Sequence, residues 1–194
     1  VDGTVVTWGN IDFGGDSSSV ADQLIGVRSI SATSTAFAAI KADGSVVTWG
    51  DSIDGGDSTS VKEQLSDVLS ISATDSAFAA IKNSGSVVTW GLSFKGGNST
   101  SVADKLVGVQ SIFSTGSVFA AIKADGSVVI WSGAVGDSDS VPEQLTEVQF
   151  ISVTSDAFAA IKTDGSVVTW GSPDGGGYTQ DTSALKPGGI AILK

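Results

Sequence analysis

Five times the chain returns to one phrase, DGSVVTWG or a close variant, at residues 2–9, 43–50, 84–91, 125–132 and 164–171. Its tryptophans, Trp8, Trp49, Trp90, Trp131 and Trp170, recur at intervals of 41, 41, 41 and 39 residues. A fixed period of that length marks one supersecondary unit copied in tandem, each copy burying its apolar face against its neighbours. The period constrains architecture far more tightly than activity.

One repeat shows how the unit is built. Ser60-Val61-Lys62-Glu63 has the spacing of a capping box, recurring as Ser19/Asp22, Ser101/Asp104 and Ser140/Glu143. Pro142 suits the first turn of such a helix. Leu24, Leu65, Leu106 and Leu145 follow as helical anchors. Residues 68–73 then read as a first strand whose buried side is marked by the recurring Ile30, Ile71, Ile112 and Ile151. A second strand, AFAAIK at 77–82, leads through Asn83-Ser84-Gly85 into a third, SVVTW at 86–90. The other copies turn through Asp-Gly, which predicts a two-residue hairpin with both central residues at positive φ. Small alanines beside one phenylalanine let such sheets approach closely. A Trp at the end of every third strand predicts a packing wedge between units, its N–H finding a carbonyl. Glycine-rich loops close each unit, and the two-residue deletion of the fourth period falls in one of them, between Trp131 and Ser140. Such loops read as the exposed rim.

Anchor Leu, Val-x-x-Ile, a small-residue strand and DG-x-V-x-x-WG together resemble the repeat of the regulator of chromosome condensation family, over about residues 20–171. The resemblance implies a β-propeller, usually of seven blades in that family, and compact bacterial versions with three-stranded blades are the nearer likeness. The sequence departs from the family in its GGDS-type loops and in Ala36 and its equivalents, where the family carries histidine. The family's exchange and chromatin roles therefore do not carry over.

The expected fold is all-β: one domain over 1–194, a propeller of roughly 41-residue, three-stranded blades. Four periods are complete. A fifth, composite blade is expected from the termini, because Ile190-Ala191-Ile192-Leu193-Lys194 resembles Phe78-Ala79-Ala80-Ile81-Lys82 and residues 1–8 read as its continuation. An open arc, or a ring closed by self-association through the terminal strands, is the alternative.

The chain contains no histidine, cysteine or methionine, so Ser-His-Asp, Cys-His and imidazole or thiolate zinc chemistry is impossible. Nearly every acid occupies a repeated turn, cap or loop position. No enzyme and no cofactor are expected. Calcium is the main chemical rival, resting on loop acids such as Asp54 and Asp57, but the third copy carries Lys95 and Asn98 where acids are needed, and turn formation is the favoured reading. The net charge of −11, with lysines scattered one per repeat, disfavours nucleic acid. No run approaches the ~20 apolar residues of a membrane span. No starting methionine or signal peptide is present, as in a mature product or a piece of one. The cysteine-free, Ser/Thr/Gly/Asp-rich composition is common in bacterial surface proteins and leads to an extracellular or cell-surface expectation.

Residues that break the repeat are the candidate site: Phe13, Ile53, Phe94, Lys95, Val135 and Tyr178, all in rim loops. Large apolar residues at loop tips are typical of binding hot spots. The expected function is a non-enzymatic module gripping a protein partner through one loop-lined face. The alternatives are an adhesin-like structural segment, with Ile11 and Phe13 packed down on the blade, and a glycan-binding lectin.

Overall fold

The computed structural model describes residues 3–132 and 144–177. Four three-stranded antiparallel sheets follow one another along it. The first contains β1 (Val27–Ala32), β2 (Ala36–Lys41) and β3 (Val46–Gly50). The second contains β4 (Val68–Ala73), β5 (Ala77–Lys82) and β6 (Val87–Gly91). The third has β7 (Val109–Ser114), β8 (Phe119–Lys123) and β9 (Val128–Trp131). The fourth has β10 (Val148–Val153), β11 (Ala157–Lys162) and β12 (Val167–Gly171). The strands fall where the β-branched and aromatic runs place them. Each sheet is a meander with its alanine-rich strand in the middle. Among the described residues no helix is long and apolar enough to cross a membrane.

The sheets pack face to face as blades. Ala36, Ala38 and Ile40 of the first pack with Leu65, Val68, Phe78, Ala80, Val88 and Trp90 of the second. Ala77, Ala79 and Ile81 meet the equivalent set around Leu106, Phe119 and Trp131. Ala120, Ile122 and Ile130 meet Leu145, Ile151, Phe158 and Trp170. Alanine methyls on the central strand are what bring neighbouring sheets close enough for the phenylalanine and tryptophan between them to be enclosed. The first strand of each blade lies nearest its counterparts: the Ser31 hydroxyl donates to Ile71 O at 2.8 Å and the Ser72 hydroxyl to Ile112 O at 2.8 Å. In the next blade Phe113 stands in the serine's place and meets Phe150 edge to face, centroids 5.6 Å apart.

The expected wedge forms in three successive copies. Trp49, Trp90 and Trp131 donate their indole N–H to Gly14 O, Gly55 O and Gly96 O of the preceding repeat's loop at 3.0–3.1 Å. Each ring also stacks on the phenylalanine opposite it in its own blade, as Trp90 does on Phe78 with centroids 5.1 Å apart. Trp170 keeps the stack, at 4.9 Å.

Two local expectations are corrected. The hairpin from β2 to β3 is a three-residue loop, in which Lys41 N donates to Ser45 O and Gly44 N to Lys41 O. Only Gly44 adopts positive φ, +79°. The Asp43 carboxylate accepts from Ser45 N, which supports a type I turn followed by a left-handed glycine. Nor does the capping box form as read. The short 3-10 segments begin earlier, at Ser18–Gln23, Thr59–Gln64 and Thr100–Val102, and put Ser19, Ser60 and Ser101 inside them. Asp16, Asp57 and Asn98 cap them, accepting from Ser18 N, Thr59 N and Thr100 N. Ser140, Glu143 and the deletion in the fourth period lie outside the described residues, as does the C-terminal strand of the composite blade.

At Gly55 the backbone has φ +102°, and an added Cβ would sit 2.6 Å from Phe78 Cδ2. Gly176 has φ +94° with nothing within 4 Å. Gly176→Ala is expected to lose about 1–2 kcal/mol, the left-handed backbone cost alone. Gly55→Ala is expected to lose roughly a further 1–3 kcal/mol by overpacking the Trp–Phe stack. Equilibrium urea unfolding of the two variants measures the difference, and equal losses would mean that the loop does not press on the stack.

Candidate interaction face

The strand directions put two sets of connections on one face: the turns that join the first and second strands of each blade, and the glycine-rich loops that follow each third strand. The turns hold the loops. In the first blade Thr33 Oγ1 accepts from Ala36 N at 2.9 Å and donates to Asp54 O at 3.2 Å. Thr74 Oγ1 likewise donates to Lys95 O at 2.9 Å, and Thr154 Oγ1 to Gly175 O at 3.3 Å. From the loop side, Asp51 Oδ1 accepts from Ile53 N and Asp54 N at 2.8 and 3.1 Å.

The turns are also tied to one another. Ser34 N donates to Asp75 O at 2.8 Å, Asp75 N to Gly116 O at 3.2 Å, and Gly116 N to Ser155 O at 2.9 Å. Each of these bonds crosses from one blade to the next. They border a shallow polar depression of about 370 Å³ lined by Thr33, Ser34, Thr74, Asp75, Thr115 and Ser155, among others. A second hollow, about 500 Å³, opens between the first two loops beside Ile11, Val20, Trp49 and Asp57.

Of the six candidate residues, four lie in the described part, all on this face. Phe13, Ile53 and Phe94 are 51%, 63% and 57% exposed. Ile53 and Phe94 fill the same position in adjacent repeats, whereas Phe13 aligns with Asp54 and Lys95. Ile11 is also exposed, so neither it nor Phe13 is packed down on the blade. The Lys95 ammonium reaches Asp75 Oδ2 at 3.8 Å, linking loop and turn. Val135 and Tyr178 lie outside the described residues. Sequence reasoning passed over Thr33, Thr74 and Thr154, although their recurrence at the repeat period, just after each first strand, was a usable signal.

The acids considered for calcium each accept a hydrogen bond from a nearby threonine. Asp54 Oδ2 accepts from the Thr35 hydroxyl at 2.6 Å, and Asp57 Oδ1 accepts from Thr59 N at 2.8 Å. No group of three potential metal ligands occurs among the described residues. Trp49, Trp90, Trp131 and Trp170 are buried and cannot offer their faces to a sugar. The face as described presents apolar tips on a braced backbone, which suits contact with another surface.

No family model matches the sequence, and no curated protein matches it. Solved structures do. Prp20p of Saccharomyces cerevisiae superposes with a TM-score of 0.56 at 18% identity, over 75% of this chain and 44% of Prp20p. The ectodomain of the Arabidopsis thaliana receptor kinase ACR4 gives 0.52 at 19%, over 75% and 52%. Human WBSCR16 gives 0.51 at 20%, over 75% and 47%. The chain thus spans about half the length of these structures. The fold is a β-propeller of the kind found in the regulator of chromosome condensation.

The opposite face carries the hairpin acids. Ser45, Ser127 and Ser166 donate hydroxyl and backbone N–H to Asp43, Asp125 and Asp164, and these bonds, the hydroxyl first, hold the three carboxyls below the usual aspartate value of 3.8. With the folded value below the unfolded one, their contribution is complete above the ordinary aspartate range and lost as pH falls through the folded values. Replacing all three by Asn keeps the acceptor and removes the titration. The melting temperature of the native chain should therefore fall more steeply below about pH 4 than that of the triple variant. Parallel acid limbs in differential scanning calorimetry would refute the assignment.

Proposed function

We propose that this chain is a non-enzymatic interaction module that binds a protein partner through the loop-lined face. The observation that carries the reading is the exposure of Phe13, Ile53 and Phe94 on one face, with the loops of Ile53 and Phe94 pinned to the turns behind them. Exposed apolar side chains add little to the stability of the blade that bears them. On a braced loop they lose little freedom when a partner covers them, which is the condition for an anchor residue. Chemistry on the substrate is not required by anything this face presents. The fold is compatible with such a role: Prp20p binds Gsp1p and histones, and yeast RCC1 is seen bound to Kap60. Those partners belong to those proteins; the partner of this chain is set by its own loops. Lys95, Val135 and Tyr178 complete the proposed contact set from the sequence.

Replacement of Phe13, Ile53 and Phe94 together by Ser tests the reading. The melting temperature should stay within a few degrees of native, because surface substitutions of this kind usually change stability by less than about 0.5 kcal/mol each. A partner isolated on the native chain should bind the triple variant at least about tenfold more weakly in calorimetry with purified components, the loss of one anchor's worth of affinity. Unchanged affinity with the fold intact would leave the loop face without a role.

A further inference from the structure

The hollow of about 500 Å³ between the first two glycine-rich loops differs in chemistry from the rest of the face. The first loop and the segment after it contribute Ile11, Asp16 and Val20; the second contributes Asp57 and Thr59. Trp49 also lines the hollow, but it is buried and its N–H is spent on Gly14 O.

Asp16 and Asp57 are one repeat apart, so the period itself brings two carboxylates to one hollow. Both are exposed. Each is a cap, with Oδ1 accepting at 2.8 Å from Ser18 N and from Thr59 N. Capping does not call for the charge, since Asn98 accepts from Thr100 N at 3.0 Å in the third copy. The charge is nonetheless kept. The backbone N–H of Ser18 for Asp16, and the Thr59 hydroxyl for Asp57, hold these carboxyls below the usual 3.8, so both are anionic at neutral pH. Among the described residues the ion pairs are Lys95 with Asp75 and Lys123 with Asp125, and neither involves these two acids. No lysine or arginine lines the hollow.

Ile11 sets this place apart from its repeats. It stands where the next two loops carry Ser52 and Ser93, and it is 69% exposed. An open apolar side chain beside two uncompensated anions is matched by a group with an aliphatic stem and a cationic, donor-rich head.

We infer that this hollow receives an arginine side chain of a protein partner, its stem along Ile11 and Val20 and its guanidinium on the carboxylates of Asp16 and Asp57. The inference rests on the protein-binding role proposed above and gives the partner's contact a chemistry. Arginine fits better than lysine because its planar fork of five donors can serve two separate carboxylates, and its weakly hydrated plane tolerates apolar neighbours. The net charge of −11 draws a basic segment toward the chain. The corresponding place between the second and third loops has Ser52 for Ile11 and Asn98 for the second acid, so the repeat supplies its own contrast.

The probe is the peptide acetyl-Gly-Arg-Gly amide, titrated into the isotope-labelled full chain and followed by amide shifts. The same peptide with citrulline keeps the shape and loses the charge, and a lysine version keeps the charge and loses the fork. The arginine peptide should shift the amides of Asp16, Val20, Asp57 and Thr59, and added salt should weaken it. Citrulline should shift none of them, and lysine should bind several-fold more weakly. Asp16→Asn with Asp57→Asn keeps both caps, as Asn98 does, and should weaken the arginine peptide at least about tenfold at an unchanged melting temperature. Ile11→Ser, the residue of the next two loops, should weaken it by about threefold. Equal binding of citrulline or lysine, undiminished binding to the double asparagine variant, shifts confined to other residues, or no shift at about 10 mM peptide overturns the inference. The two readings fail separately. A partner that loses affinity for the Phe13, Ile53 and Phe94 variant but not for the double asparagine variant removes the arginine site alone, and the converse removes the role of the loop tips.

Discussion

The side chain that ties a blade both to its own sheet and to the loop before it is the tryptophan that ends the third strand, as Trp49, Trp90 and Trp131 show. The indole of Trp90 lies on Phe78 of its own sheet and donates its N–H to Gly55 O of the preceding loop. A stacked aromatic pair contributes about 0.5–1.5 kcal/mol beyond its burial, and a buried hydrogen bond about 1 kcal/mol net. The constraint runs in both directions. Phe78 leaves no room for a Cβ at Gly55, so the loop has a glycine where it passes over the ring. The same geometry, with Gly14 before Trp49 and Gly96 before Trp131, fixes a separation of 35 residues between carbonyl and indole. That separation, more than strand propensity, makes the period so regular.

A frame fastened in this way leaves the loop tips free to differ. Between the glycine that ends a third strand and the glycine over the next ring, only a few residues are exposed, and Ile53, Phe94 and Asp174 occupy one equivalent position among them. Thr33, Thr74 and Thr154, each just after a first strand, hold the loop backbone by its carbonyl, so the side chain at the tip can change without disturbing the hold. Such positions can vary without disturbing the fold.

Strands, tryptophan wedges and the exposed loops were legible in the sequence because each rests on side chains that repeat. The hairpin geometry was not. Asp-Gly is compatible with a two-residue turn, and only the bond from Ser45 N to the Asp43 carboxylate, with Ala42 included in the loop, selects the three-residue form. The cap was misplaced for a related reason. Ser60 and Glu63 have the right spacing, but Ser60 falls inside the segment, whose first amide, Thr59 N, is met by the Asp57 carboxylate. In both cases an aspartate carboxylate accepts from the backbone N–H two residues on and sets the local geometry, which sequence spacing alone does not rank against the alternative. Apolar tips at Phe13, Ile53 and Phe94 were legible as departures from the repeat. The bonds that join Ser34, Asp75, Gly116 and Ser155 were not, because they run between backbone atoms and leave no trace in residue type.

In a tandem array each blade gains most of its stability from its neighbours, so the end units set the limit. Three blade interfaces are enclosed among the described residues, and each buries a full set of alanine, isoleucine, phenylalanine and tryptophan side chains. At the two ends of the described array Trp8 and Ile30 on one side and Ile161 on the other are exposed. An exposed apolar edge is of the sort that pairs between molecules. The high negative charge of the chain opposes that pairing only at range, because at contact the screened repulsion of scattered carboxylates is weak against a strand's worth of hydrogen bonds and buried methyl groups.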